Sequence, residues 1–353
     1  MKKSTFLLLV LLLLLPLTAR AEDAVYRILD TQGKEITQYV GEPDEGDEYI
    51  AHDNQHYLIT RVDTAAHSAI AESKGAYRMP DVHWLEDDSQ AVSSNQRAVA
   101  LYCTHSDESY EPSDGDSSVT PRGGIYDVAE SLKKGLEAQG ITVYYDNSTH
   151  LPHDSAAYRR SRATAEELLK NGVDAIFDVH RDGIPDPGQY KTTINGQEAS
   201  MVRLLVGRSN QNAAANKEFA AGIKAVADKL YPDLVRDIYI GKGTYNQDLS
   251  PRAVLLEFGT HTIEKERAEQ ATQFMASVIQ KSLYGGVSGA AGNAEVASGK
   301  GVWTGIVWII GVALVGVAVF ALASTGGVQP AMQKIRDNAN EMTGGFFDKK
   351  NKK

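Results

Sequence analysis

From Arg97 to Tyr284 the sequence alternates short apolar runs with amphipathic stretches, and that alternation leaves few folds open. "RAVALYCT", "ITVYYD", "VDAIFDV", "SMVRLLVG" and "AVLLEF" read as strands, because short continuous apolar runs suit strands buried on both faces. Between them, "IYDVAESLKKGLEAQG" sets Ile125, Val128, Leu132 and Leu136 on one helical face and stops at Gly140. "DSAAYRRSRATAEELLKNG" opens on an Asp/Ser cap and closes at Gly172. "NQNAAANKEFAAGIKAVADKLY" and the segment from Ile263 to Leu283 supply two further helices. Strands joined through helices predict an α/β fold with a mainly parallel sheet flanked by helices.

The flanking regions differ in kind. Residues 22–84 carry the hairpin patterns "VYRILDTQGKEI" and "DEYIAHDNQHYLITRV", with turns at Gly33 and Asp53-Asn54, and predict a small β-rich domain. A polar linker over 85–96 would join it to the α/β domain at 97–284. Residues 1–21, "MKKSTFLLLVLLLLLPLTARA", have the basic start, apolar core and small-x-small end of a signal peptide. Residues 285–301 are rich in Gly, Ala and Ser, as a flexible tether is. Residues 302–323, "VWTGIVWIIGVALVGVAVFALA", hold no charge and are long enough for a transmembrane helix, with Trp303 and Trp308 near one end. The tail at 324–353 ends on Lys349, Lys350, Lys352 and Lys353, which the positive-inside rule places in the cytosol. The chain is thus expected to be single-pass, with its folded part on the extracytoplasmic face of the bacterial cytoplasmic membrane. The net charge of -10 argues against a nucleic-acid binder, which needs a basic face for phosphates. Cys103 is the only cysteine, so no disulfide forms within the chain.

Three of the strand-like runs end in a residue able to bind metal or carry a proton. "VALYCTH" ends at His105 and continues to Glu108, "AIFDVH" ends at His180, and "AVLLE" ends at Glu257. Carboxyl ends of parallel strands open on one edge of a sheet, where such folds place their sites. Two histidines and a glutamate are a ligand set for catalytic zinc, and His-x-x-Glu spacing lets both side chains face one point. Zinc acidifies water and polarises a carbonyl. The hydrolysis still needs a carboxylate to move the proton, the place left for Glu257. Asp178 or Asp182 could hold the distal N–H of a ligating histidine. His150 and His153, in the loop before the "YRRSR" helix, could reach substrate or replace a ligand. Cys103 reads as a small core residue, and "SDESYEPSDGD" as a solvated acidic loop in which only Glu108 has a function.

"YCTHSDESYEP", "SAAYRRSRATAEELL", "IFDVHRDG" and "YNQDLSPRAVLLEFGTHTIEKE" together resemble the stage II sporulation protein P family of N-acetylmuramoyl-L-alanine amidases. The resemblance spans roughly Arg97 to Tyr284 with its motifs in order, and "VGEPDEGDEYIAHDNQHYLITRVD" extends it upstream. It implies zinc at His105, Glu108 and His180, Glu257 as the catalytic glutamate, and hydrolysis of the bond between N-acetylmuramic acid and L-alanine in peptidoglycan. It implies a role in septal wall thinning and engulfment during sporulation, beside stage II sporulation proteins D and M. Arg181 and Asp182 fall on the family's His-Arg-Asp motif, where they would contact substrate or support the ligands; Tyr158, Ser161 and Arg162 fall on the "YRRSR" motif. Such proteins commonly carry one N-terminal anchor, whereas this chain pairs a signal sequence with a C-terminal apolar run.

Two other functions share these residues. A zinc carboxypeptidase or endopeptidase acting on wall peptides uses the same ligand pattern, and a carboxypeptidase adds an arginine for the terminal carboxylate. A non-catalytic wall-binding protein would lack a ligand or the base, and here none is missing.

Overall fold

The computed structural model describes residues 24–86 and 97–285. The expected signal peptide (1–21), transmembrane helix (302–323) and basic tail (324–353) lie outside the described residues, as do most of both linkers. Among the described residues no helix is long and apolar enough to cross a membrane.

The chain opens with β1 (Val25–Asp30), β2 (Glu35–Val40), β3 (Glu48–Ile50), β4 (Gln55–Asp63) and β5 (Ser68–Ala76). The first two hairpins turn where left-handed backbone is available, at Gly33 (φ 83°) and Asn54 (φ 64°). Then come β6 (Ala98–Tyr102), the single turn α1 (Glu111–Asp114), α2 (Ile125–Ala138), β7 (Thr142–Tyr145), α3 (Ala157–Leu169) and β8 (Ala175–Asp182). A hairpin of β9 (Lys191–Ile194) and β10 (Gln197–Ser200) precedes β11 (Val202–Gly207), α4 (Ala213–Leu230), β12 (Val235–Gly241), β13 (Ala253–Thr260) and α5 (Lys265–Tyr284).

One eleven-stranded sheet runs β2-β1-β5-β4-β3-β12-β11-β13-β8-β6-β7. β13, β8, β6 and β7 are parallel to one another, so the exits of β6, β8 and β13 share one edge. The sheet as a whole is mixed, which corrects the expectation of a mainly parallel one. After β8 the chain makes the β9–β10 hairpin instead of a helical crossover, and β11 returns antiparallel to β13. Helix α4 then carries it across to β12, parallel to β11. Strand β12, whose apolar run is broken by Arg236 and Asp237, and the β9–β10 hairpin are additions to the elements expected from sequence.

β3 pairs antiparallel with β12, so the N-terminal strands extend the same sheet as the α/β strands. They also fold back over it. β2 is the far edge of the sheet, yet Tyr39 stacks on Tyr239 of β12 at 4.2 Å. Tyr26, Ile28, Ile59 and Ala71 form a buried cluster with Leu205, Tyr239 and Leu255 of the central strands. On the same sheet face, Ala165 and Leu168 of α3 pack with Ala100, Tyr102 and Ile176. The opposite face carries the main core, in which Ile125, Val128, Leu132 and Leu136 of α2 are fully buried beside α4 and α5. Each fully buried aliphatic side chain there contributes about 1.5–3 kcal/mol.

Candidate metal centre and active site

β6 and β8 deliver His105 and His180 to the same edge, and the backbone between them explains how Glu108 joins. The chain leaving β6 turns tightly, with Glu108 N–H donating to His105 O at 3.3 Å. Glu108 is 3% exposed and faces the two histidines: its Oε1 is 3.1 Å from His105 Nδ1 and 3.3 Å from His180 Nδ1. Its Oε2 accepts the backbone N–H of Arg181 at 2.9 Å. One potential ligand atom from each of His105, Glu108 and His180 lies within 4.8 Å of the others. Tetrahedral zinc with bonds near 2.0–2.1 Å sets its ligand atoms about 3.3 Å apart, so the donor set fits that ion in type and spacing.

The three groups are strongly coupled electrostatically. Burial pushes Glu108 up, but His180 and then His105 more than reverse this and hold it well below the usual carboxylate range. Burial lowers His105 and keeps its ring neutral, as a ligand must be. Burial also pulls on His180, yet Asp178 and then Glu108 outweigh it and raise its pKa well above the ordinary value. Asp178 Oδ1 lies 2.9 Å from His180 Nε2, off the line of a hydrogen bond. The Asp178 carboxylate is itself fixed by Thr104, whose N–H donates to Oδ1 at 2.9 Å and whose hydroxyl donates to Oδ2 at 2.6 Å. Thr104 Oγ1 in turn meets Ser161 of α3 at 2.8 Å. Asp178 is therefore placed to orient His180 from behind.

Glu257 sits on β13 directly opposite His180 of β8 and Arg203 of β11, so all three side chains leave one face of the sheet. It keeps 15% exposure, and its Oε2 has no hydrogen-bond partner. Burial first, then the charge of Asp182, pushes its carboxyl up to about 8. Such a group can hold and release a proton near neutral pH.

The remaining sequence candidates are placed differently. Asp182 is engaged by other partners: Oδ2 accepts from Tyr190 at 2.6 Å and Arg203 at 3.1 Å. Arg181 donates from its side chain to the carbonyls of Ser109, Ser117 and Asp182, so it clamps the loop that carries Glu108. His150 is buried, with Nδ1 at 2.9 Å from Cys103 O and Nε2 at 2.9 Å from Thr164 Oγ1, and it braces the loop above β6. Arg162 forms a two-pronged pair with Asp248 at 2.8 and 2.9 Å, joining α3 to the loop before β13. His153 does reach the cluster, stacked on His105 at 4.1 Å and held by Asp107 at 2.9 Å.

The segment from Ser106 to Tyr110, expected to be a solvated loop, is buried throughout. The Arg181 backbone N–H meets the Glu108 carboxylate, and the Ser118 hydroxyl and His153 meet that of Asp107, which lets acidic residues sit inside. Tyr158, which the sequence places on the "YRRSR" motif without a role, also lines the cluster, together with Tyr245 and Arg203, which the sequence does not single out. Tyr158 lies edge-on to His105 at 5.3 Å and Tyr245 edge-on to Tyr158 at 5.2 Å. Arg203 is 1% exposed and 4.0 Å from Glu257. A charged residue inside the apolar run "MVRLLVG" was the available signal.

Comparison with known proteins gives the family. The chain is 27% identical to Stage II sporulation protein P of Bacillus subtilis (strain 168) over 218 residues, which cover 56% of this chain and 54% of that protein, so the chain matches about half the length of that relative. Among solved structures it is similar to the CwlD amidase of Clostridioides difficile, determined with the GerS lipoprotein (14% identity, TM-score 0.38, 53% of this chain and 98% of that one). It is also similar to the N-acetylmuramoyl-L-alanine amidase AmiC2 of Nostoc punctiforme (12% identity, TM-score 0.32, 54% and 97%). A sequence model of Stage II sporulation protein P (SpoIIP) matches residues 27–280, and the chain belongs to that family.

Proposed function

We propose that this protein is a zinc-dependent N-acetylmuramoyl-L-alanine amidase that cuts the stem peptide from the glycan of peptidoglycan. The observation that carries the reading is the meeting of His105, Glu108 and His180 beside a buried carboxylate oxygen of Glu257 that accepts no hydrogen bond. His105 and His180, through Nδ1, and Glu108, through its carboxylate, would hold the metal. When bound, zinc supplies a Lewis acid for the amide carbonyl and makes water acidic enough to attack near neutral pH. Glu257 takes the proton of the attacking water and delivers it to the departing nitrogen of L-alanine, a transfer its raised pKa suits. Asp178 keeps the His180 ring in place, and Arg181 holds the turn that presents Glu108.

The arginines around the site favour an amidase over a carboxypeptidase. Arg162, Arg181 and Arg203 each spend their donors on protein acceptors, which leaves none of the three to grip a terminal carboxylate. In this reading residues 97–284 form the catalytic part and 22–84 a β-rich part, joined through 85–96. The apolar run at 302–323 tethers them by the tether at 285–301 to the extracytoplasmic face of the cytoplasmic membrane. Family membership supports a role in sporulation wall remodelling; stage II sporulation proteins D and M are the partners this reading proposes.

The test is product analysis. Purified full-length chain, incubated with peptidoglycan, should release whole stem peptides beginning at L-alanine, and neither a chelator-treated sample nor Glu257→Gln should do so. Peptides trimmed by single residues while still on glycan would establish the carboxypeptidase instead.

A further inference from the structure

The N-terminal strands do more than lengthen the sheet. Arg203 is the largest fully buried side chain in the described protein and stands opposite Glu257 on the neighbouring strand. Its guanidinium binds both oxygens of Asp237, through Nε at 2.8 Å and Nη2 at 3.1 Å, and Asp182 through Nη1 at 3.1 Å. The third side of this socket comes from β2. Nη2 donates to Thr37 Oγ1 at 3.1 Å and to Gln38 O at 3.1 Å. Thr37 Oγ1 also accepts from Arg236 Nη2 at 3.1 Å, so one buried hydroxyl serves two guanidinium groups. Thr37 is 3% exposed.

Next to this socket β2 walls the site itself. A Cβ on Gly183, just past the His-Arg-Asp motif, would lie 3.2 Å from Val40. Tyr39 lies on Tyr239. A planar guanidinium held on three sides has one orientation left, and Glu257 Oε2 lies 4.0 Å from its Nε.

We infer that Arg203 is a positioning residue for Glu257, and that β2, through Thr37, completes its socket, so that the N-terminal strands are part of the catalytic apparatus. The inference rests on the proposed role of Glu257 as proton carrier. Asp237 and Asp182 fix the plane of the guanidinium, and Thr37 fixes its outer edge. Releasing that edge lets the guanidinium tilt and the carboxylate opposite it drift from the reacting atoms, a displacement that acts on turnover more than on substrate binding.

Thr37→Val and Thr37→Ser in the full-length chain test this with a soluble muramyl-peptide as substrate. Thr37→Val keeps the volume and removes the acceptor, and should lower kcat by about tenfold while KM stays within about twofold. Bound zinc should be unchanged, and Thr37→Ser, which restores the acceptor, should recover most of the loss. An unchanged kcat in Thr37→Val overturns the inference. So does an equal fall in both variants, or a loss of zinc in step with activity, since each marks a general packing defect. If the wild-type chain releases no peptide, the proposed function fails by itself. Crystal structures of wild type and Thr37→Val then decide the inference: a displaced Glu257 carboxylate upholds it, an unmoved one overturns it.

Discussion

Gly123 is where a single methyl group should uncouple Glu108 from the two histidines. A Cβ there would lie 2.0 Å from Glu108 O, 2.5 Å from Ser109 Oγ and 2.6 Å from the carbonyl carbon of Asp107. A carbon–oxygen contact needs about 3.3 Å, so the backbone at Glu108 must retreat by roughly 1 Å. Three bonds oppose that retreat: Gly123 N–H to Ser106 O at 2.8 Å, Gly124 N–H to Ser109 Oγ at 2.9 Å and Ile125 N–H to Glu108 O at 3.0 Å. Overpacking of this kind costs about 1–3 kcal/mol and should lower the melting temperature by roughly 3–10 °C. The larger effect falls on metal binding, because ligand distances tolerate only about 0.2 Å. Gly123→Ala should weaken zinc binding by about 100-fold or more, measured by competition with a chromophoric chelator. Gly140→Ala is the control. Gly140 has φ +77° with nothing within 4 Å of an added Cβ, so it should lose about 1 kcal/mol of stability and no zinc affinity. Wild-type zinc affinity in Gly123→Ala would refute the claim that this turn sets the Glu108 carboxylate.

Three further predictions concern charge. Glu257 binds its proton more tightly folded (about 8) than at its ordinary value of 4.5, so the folded state holds the extra proton between those values. The metal-free chain should therefore lose stability as pH rises from about 4.5 through 8, by at most about 3–5 kcal/mol from this group. Glu257→Gln, neutral throughout, should flatten that part of the denaturant-unfolding profile, retain zinc and lower kcat by roughly 100-fold or more; a parallel profile in the variant would contradict the burial argument. Asp178→Asn keeps the shape behind His180 but removes its charge, and should weaken zinc binding by about 10–100-fold in equilibrium dialysis with little change in circular dichroism. Zinc at 100 times its Kd should stabilise the wild-type chain by about 2.7 kcal/mol in thermal unfolding, and Glu108→Ala should abolish that gain.

The parts of the site legible in sequence are those written locally. His105, His180 and Glu257 each end or nearly end an apolar run, and apolar runs mark strands. Parallel pairing of β6, β8 and β13 then brings their ends together without further information. What could not be read depends on partners distant in the chain. Arg203 looked like an interruption of a strand because its partners Asp237, Asp182 and Thr37 are contributed by three other strands. β12 went unrecognised for the same reason, since Arg236 and Asp237 break its hydrophobic pattern and become intelligible only opposite Arg203. Both N-terminal hairpins were visible from their turn residues. Their pairing with β12 and the return of β2 over the site were not, because hairpin patterning carries no information about such contacts. The acidic loop after His105 misled through composition: Asp107 and Glu108 are buried where backbone and hydroxyl donors meet them, while Glu111 and Asp116 are exposed.

The proposed function depends on His105, Glu108 and His180 holding one metal between them. Crystals of the full-length chain grown with zinc, with diffraction recorded on both sides of the zinc absorption edge, test that most directly. One strong anomalous peak is expected within about 2.0–2.2 Å of His105 Nδ1, a Glu108 carboxylate oxygen and His180 Nδ1. A well-ordered site with no peak there, or a peak held by other residues, would contradict it.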